Sequence, residues 1–193
     1  MILSIVQYND PRLRQKGRPV KAFDAALKTL FQDMVETMHE ADGIGLAAQQ
    51  IGRALQFCVV DVRHAQDAFR FELDGRSNLP AELIMPLAVA NPVIKFPYPE
   101  TSVCEEGCLS IPDIRGDVER PERIRVDFQD LDGRPHTLEC DGIFARCLLH
   151  EADHLDGILF LDRMEKKDLK AVEKKLKILK RRTRDALNTA RTR

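Results

Sequence analysis

His150, Glu151 and His154, in the stretch LLHEADHLDGILF (148–160), constrain this chain more than any other feature. On a helix the two histidines stand one above the other on one face, about 5–6 Å apart at Cβ. Two imidazoles so placed chelate one divalent ion, and Glu151 beside them reaches a water on it. A metal lowers the pKa of such a water toward about 7, which makes a carboxylate a competent base for it. The site then needs a third ligand from elsewhere in the chain.

Three positions compete for that role. A metzincin protease would continue to a third histidine at position 160; Gly157 fits that pattern, but Phe160 does not. Glu173 lies 19 residues after His154, the spacing of an aminopeptidase-type gluzincin. It stands among Lys170, Lys174 and Lys175, however, where an i, i+4 pair with a lysine such as Lys177 is the simpler reading. Cys108, in EEGCLS (105–110), is the third. A thiolate is a strong ligand for zinc or iron, Gly107 lets the backbone approach a metal, and two histidines plus one thiolate leave a position for water. Alone, Cys108 would read as a buried inert cysteine.

At 193 residues the chain is expected to form one domain. No apolar run approaches the roughly 20 residues that span a bilayer, and the N-terminus lacks the pattern of a secretion signal, so a cytoplasmic location is expected. Five cysteines, Cys58, Cys104, Cys108, Cys140 and Cys147, then read as reduced thiols. Residues 1–163 hold 18 Lys/Arg against 27 Asp/Glu, whereas residues 164–193 hold 12 against 4. The basic tail suits either a solvated helix face or contact with nucleic acid.

Along the chain, PRLRQKGRP (11–19) reads as an extended lead-in. Phe23, Leu27, Leu30, Phe31, Met34, Val35 and Met38 recur at helical spacing, with Gly43 in the position of a C-terminal cap. Residues 56–62, 89–96, 123–130 and 135–140 read as strands, the last two joined by an Asp132-Gly133 turn. Residues 64–86, with Asp74-Gly75 as a turn signal, look like a surface insertion. A helix is expected from about Gly142 to Leu155, and Leu169, Val172, Leu176 and Leu179 predict a last amphipathic helix. Strands in the middle with helices outside them argue an α+β fold.

GIGLAAQQ (43–50) also fits a loose dinucleotide-binding fingerprint, but a helix rather than a strand precedes it. Its glycines suggest instead a backbone approached closely by something extended, or simply a tightly packed turn.

Together these segments resemble the peptide deformylase family. GIGLAAQQ matches its GxGLAAxQ, EGCLS its second motif and HEADHLDG its HExDHLxG, and the opening DPRLR with Pro19-Val20 is similar too. The resemblance runs nearly end to end. It implies a compact single domain over 1–193, with antiparallel sheets packed around the central HExxH helix and a C-terminal helix. It implies hydrolysis of the formyl group from N-formylmethionyl nascent peptides, releasing formate. Carried over by motif, Cys108, His150 and His154 are the metal ligands and Glu151 is the general base. Gln50 and the backbone N–H of Leu109 face the oxyanion, and Ile44, Gly45 and Gly107 pair with the peptide backbone. Arg115 supports the site, while Ile44, Ile143 and Cys147 wall the methionine pocket. The implied metal is one Fe(II), with zinc or nickel able to substitute. The implied setting is a cytoplasmic monomer whose basic tail contacts the ribosome. Leu149 departs from the glutamine usual before the first histidine, and should alter the surroundings of the metal without abolishing binding. The rival of another class is a deformylase-like protein that binds through its tail with little turnover.

Overall fold

A computed structural model describes residues 1–191, with side chains through Thr189; Thr192 and Arg193, the end of the basic tail, lie outside the described residues. The first helix, α1 (Ala25–Glu40), starts where the Asp24 carboxylate accepts the N–H groups of Ala26 and Leu27 at 3.0 and 3.1 Å. That side chain satisfies two of the donors a helix start leaves open. The helix does not end on a glycine cap as expected. Asp42 takes the left-handed conformation instead (φ 53°), and Gly43 N–H then reaches the Met38 carbonyl at 2.9 Å. Aspartate tolerates that conformation better than most residues, and Gly43 serves packing: a Cβ there would stand 2.7 Å from Leu109 Cδ1.

Nine strands follow: β1 (Gly45–Ala47), β2 (Phe57–Val60), β3 (Phe71–Leu73), β4 (Arg76–Ser77), β5 (Leu87–Lys95), β6 (Thr101–Cys108), β7 (Ile111–Pro121), β8 (Arg123–Gln129) and β9 (Pro135–Asp141). Seven of them form one antiparallel sheet in the order β1-β2-β5-β8-β9-β3-β4; β6 and β7 form a separate two-stranded sheet. The four strands expected from β-branched patterning are β2, β5, β8 and β9. The insertion folds as the β3–β4 hairpin around Asp74 and Gly75, both at positive φ (51° and 76°), and β3 pairs with β9. Phe69 and Phe71 pin it to Phe144 at ring-centroid distances of 5.8 and 6.0 Å.

The second helix, α2 (Gly142–Leu155), carries the two histidines, and ten of its fourteen residues are buried. Helices covered on all sides belong in a core, and this one lies between the large sheet and the β6–β7 hairpin. The third, α3 (Lys166–Arg191), lays Leu176 with the half-buried Leu169, Val172 and Leu179 against Ile114 and Val118 of β7. The expected amphipathic stripe is therefore present, with lysines and arginines outside. No helix among the described residues is long and apolar enough to cross a membrane, and all five cysteines are free thiols.

Candidate metal centre

The donor atoms of Cys108, His150 and His154 lie within 4.8 Å of one another, the one such group of three among the described residues. Cys108 closes β6, and its Sγ stands 3.2 Å from His154 Nε2. The two imidazoles are 5.0 Å apart at their centroids, as a helical i, i+4 pair should be. Phe160, the residue that excluded a third histidine, stacks on His150 at 6.1 Å. Glu173 takes no part: exposed on α3, it pairs with Lys177 at 2.7 Å.

The donor set fits a metal. One sulfur and two imidazole nitrogens suit zinc, iron(II) or nickel. Beside them the buried Glu151 Oε2 finds no hydrogen-bond partner in the protein, which is costly unless something else satisfies it. Burial resists charge on His150, but Cys108 and the Glu106 carboxylate outweigh it and push the imidazole up to about 10. Burial and the neighbouring His150 hold His154 well below its ordinary value, and burial raises the Glu151 carboxyl to about 7. Protons and a cation thus compete for the same atoms, so metal binding here is coupled to proton release.

Around these three candidate ligands lies a buried charge network that sequence reasoning missed. Glu106 Oε2 sits 3.0 Å from His150 Nδ1. Arg120 grips the same carboxylate with Nε and Nη2 at 2.6 and 2.9 Å, and its Nη1 reaches Asp153 Oδ2 at 2.8 Å. Arg146 adds a contact to Glu106 Oε1 at 2.9 Å, and Arg163 holds Asp153 at 2.7 Å. Burial opposes the charge on Glu106, yet His150 and Arg120 bring its carboxyl down to about 2. One signal was available: besides the HExxH residues, Arg146 and Asp153 put two further charges on this helix, and a charge on a buried helix needs a partner.

Cys108, His150 and Glu151 open onto a cleft of about 540 Å³. Gln50, Ile44, Gly45, Gly107, Leu109, Ile143, Cys147 and Arg115 all line it, so every residue the resemblance assigns to the site borders this cleft except the deeper His154. Gln50 is oriented by the Ala47 N–H, which donates to its Oε1 at 2.8 Å; its Nε2 turns toward Cys108 Sγ at 3.5 Å. Arg115 stands at the mouth, opposite Gly107 and 68% exposed, with only a 3.8 Å approach to Glu105. The arginines that touch the ligand surroundings are Arg120 and Arg146. Leu149 is buried in the apolar cluster of the large sheet and does not line the cleft, so at this position the chain has core packing.

Two of the three glycines lining the cleft, Gly45 and Gly107, have different reasons. A Cβ on Gly45 would stand 2.8 Å from both Cys147 Sγ and Glu151 Cδ, so α2 packed behind the strand already requires glycine there. A Cβ on Gly107 would meet only the Arg115 side chain, no closer than 3.4 Å.

A cysteine and two histidines around an HExxH helix, over a cleft in an α+β scaffold, define a single-metal hydrolase. The profile of the polypeptide deformylase family matches residues 2–170. A peptide deformylase of Opitutus terrae is 57% identical over 188 residues, covering 96% of this chain and 97% of that protein. The crystal structure of peptide deformylase from Thermotoga maritima superposes with a TM-score of 0.73 at 39% identity, covering 86% of this chain and 99% of that one. One from Synechococcus elongatus, in complex with actinonin, gives 0.76 at 40% identity over 90% and 87% of the two chains. The chain belongs to the peptide deformylase family, enzymes that hydrolyse the formyl group from the N-terminus of nascent polypeptides.

Proposed function

We propose that this chain deformylates N-formylmethionyl nascent peptides, releasing formate, with Cys108, His150 and His154 holding one divalent ion. Iron(II) is the metal proposed, with zinc or nickel able to replace it. Bound there, the ion supplies Lewis acidity toward water and toward the formyl oxygen. The observation that carries the reading is the convergence of these ligands and the unpaired, buried Glu151 Oε2 beside one cleft.

Glu151 accepts a proton from the attacking water and returns it to the departing nitrogen, a role suited to a carboxyl raised to about 7. Gln50 Nε2 and the Leu109 N–H donate to the oxygen as negative charge develops on it. The open edge of β1, the terminal strand of the large sheet, offers Ile44 and Gly45 to the peptide backbone, and Gly107 on β6 offers the opposite wall. Ile44, Ile143 and Cys147 receive the methionine side chain, and Arg115 borders the groove beyond Gly107.

The chain is read as one domain over residues 1–193, acting as a monomer in the cytoplasm, since all proposed ligands come from one chain and formylated nascent peptides arise where ribosomes are. Its tail presents Lys170, Lys174, Lys177, Lys180, Arg181 and Arg184 to solvent, a face suited to ribosomal RNA. Affinity for ribosomes is expected to fall steeply with salt; affinity unchanged by deleting residues 184–193 would overturn that contact. For the reaction, anaerobically prepared, metal-loaded protein should release formate from formyl-Met-Ala-Ser, and Glu151→Gln should lower the rate by about 10²–10⁴-fold. No formate from fully metallated protein would refute the activity.

A further inference from the structure

Arg146 lies one helical turn before His150, so the two side chains leave the same face of α2. Both end on one carboxylate: Arg146 Nη1 donates to Glu106 Oε1 at 2.9 Å, and His150 Nδ1 meets Glu106 Oε2 at 3.0 Å. The rest of the guanidinium is spent on the β6–β7 hairpin. Nη1 also reaches the Val118 carbonyl at 3.0 Å, and Nη2 reaches the Ser102 carbonyl and hydroxyl at 2.9 and 3.0 Å. Arg146 and Glu106 are 9% and 5% exposed in their side chains, so water competes little for these bonds.

A carboxylate only accepts hydrogen bonds, so Glu106 keeps a His150 proton on Nδ1, and Nε2, on the side of Cys108 and His154, is the nitrogen whose lone pair a metal would take. Glu106 can do this only while its own orientation is held. Arg120, on β7, grips it from the hairpin side; Arg146 is the donor that ties it to the helix carrying the histidines. Since Arg146 bonds to both strands of the hairpin as well, it sets the distance between the element bearing Cys108 and the element bearing His150 and His154.

We propose that Arg146 is a positioning residue for the metal centre, acting on His150 through Glu106 and on Cys108 through the hairpin. This rests on the reading of Cys108, His150 and His154 as ligands of one ion. The test is the rate at which nickel-loaded protein gives up its metal to a chelator, measured on folded protein below its unfolding transition. Arg146→Lys keeps the charge but loses the planar fork, and should release nickel about 10–100-fold faster than the unchanged protein, as should Glu106→Gln. Because the two share the route through one carboxylate, the double variant should release nickel more slowly than the product of the two single effects predicts. Arg146→Met, if it folds, should match or exceed Arg146→Lys. Release from Arg146→Lys at the unchanged rate, or effects of the two substitutions that simply multiply, would overturn the proposal. If the unchanged protein does not retain one nickel ion per chain, the metal-site reading itself falls.

Discussion

Gly45 and Gly107 look equivalent in the motifs but should answer differently to the same one-carbon change. In Gly45→Ala the new methyl would lie 2.8 Å from Cys147 Sγ and Glu151 Cδ, closer than real Cβ contacts come. The strand, the helix or the Glu151 side chain must shift, and overpacking of this kind destabilises by about 1–3 kcal/mol. In a chain of this size each kcal/mol moves the melting temperature by about 2–4 °C, so a fall of roughly 2–12 °C is expected. A displaced Glu151 should also lower kcat, by about 10²-fold for a shift near 1 Å. In Gly107→Ala the methyl stands at an ordinary distance from the flexible Arg115 and projects beside the cleft. Its melting temperature should stay within the change expected of about 0.5 kcal/mol, while KM for formyl-Met-Ala-Ser rises more than kcat falls. Differential scanning calorimetry and formate-release kinetics on both variants make the comparison. Equal destabilisation by the two substitutions, or a Gly45→Ala protein with unchanged melting temperature and kcat, would refute the reasoning.

Metal content separates the two candidate third ligands: Cys108→Ala should purify with little or no bound metal by elemental analysis. Glu173→Ala should keep its metal and lose at most about 0.5 kcal/mol, because its ion pair with Lys177 is an exposed one. The insertion should respond to pH through His136, whose ring nitrogens face Asp74 of the hairpin turn at 2.7 Å and Asp130 at 3.3 Å. Burial opposes its charge, but the two carboxylates outweigh burial and raise its pKa above the ordinary 6.5. A raised folded-state value means the stabilisation is fully present below about pH 6.5 and is lost as pH rises through the folded pKa. Melting temperatures of the protein and of His136→Gln should therefore differ most at low pH and converge at high pH; a gap that widens with pH would contradict this.

Local patterning carried much of the fold into view. The stripe from Phe23 to Met38, the β-branched runs of β2, β5 and β8, and the Asp74-Gly75 and Asp132-Gly133 turns are each short-range signals with a direct steric or hydrophobic cause. The β6–β7 hairpin was not legible as strands. β6 buries only Glu106, the pair includes Gly107, Pro112 and Gly116, and Val103 lies exposed, so no apolar run or regular alternation marks it. Its stability comes from partners distant in sequence: α3 on one side and Arg146 on the other.

The sequence by itself determined the ligand candidates, because His150 and His154 share a face in any helix and Cys108 is chemically suited wherever the chain brings it. It also determined that Phe160 was no ligand, since its ring has no donor atom. Only tertiary structure showed that Cys108, and not Glu173, stands beside the two histidines, because that depends on which of two distant segments reaches the helix. Tertiary structure also showed that Glu106, Arg120, Arg146 and Asp153 form one buried network around His150, and that Gly45 abuts a packed helix where Gly107 abuts only the flexible Arg115 side chain. Each of these turns on contacts of at most 3.4 Å between residues far apart in the chain, which no local pattern encodes.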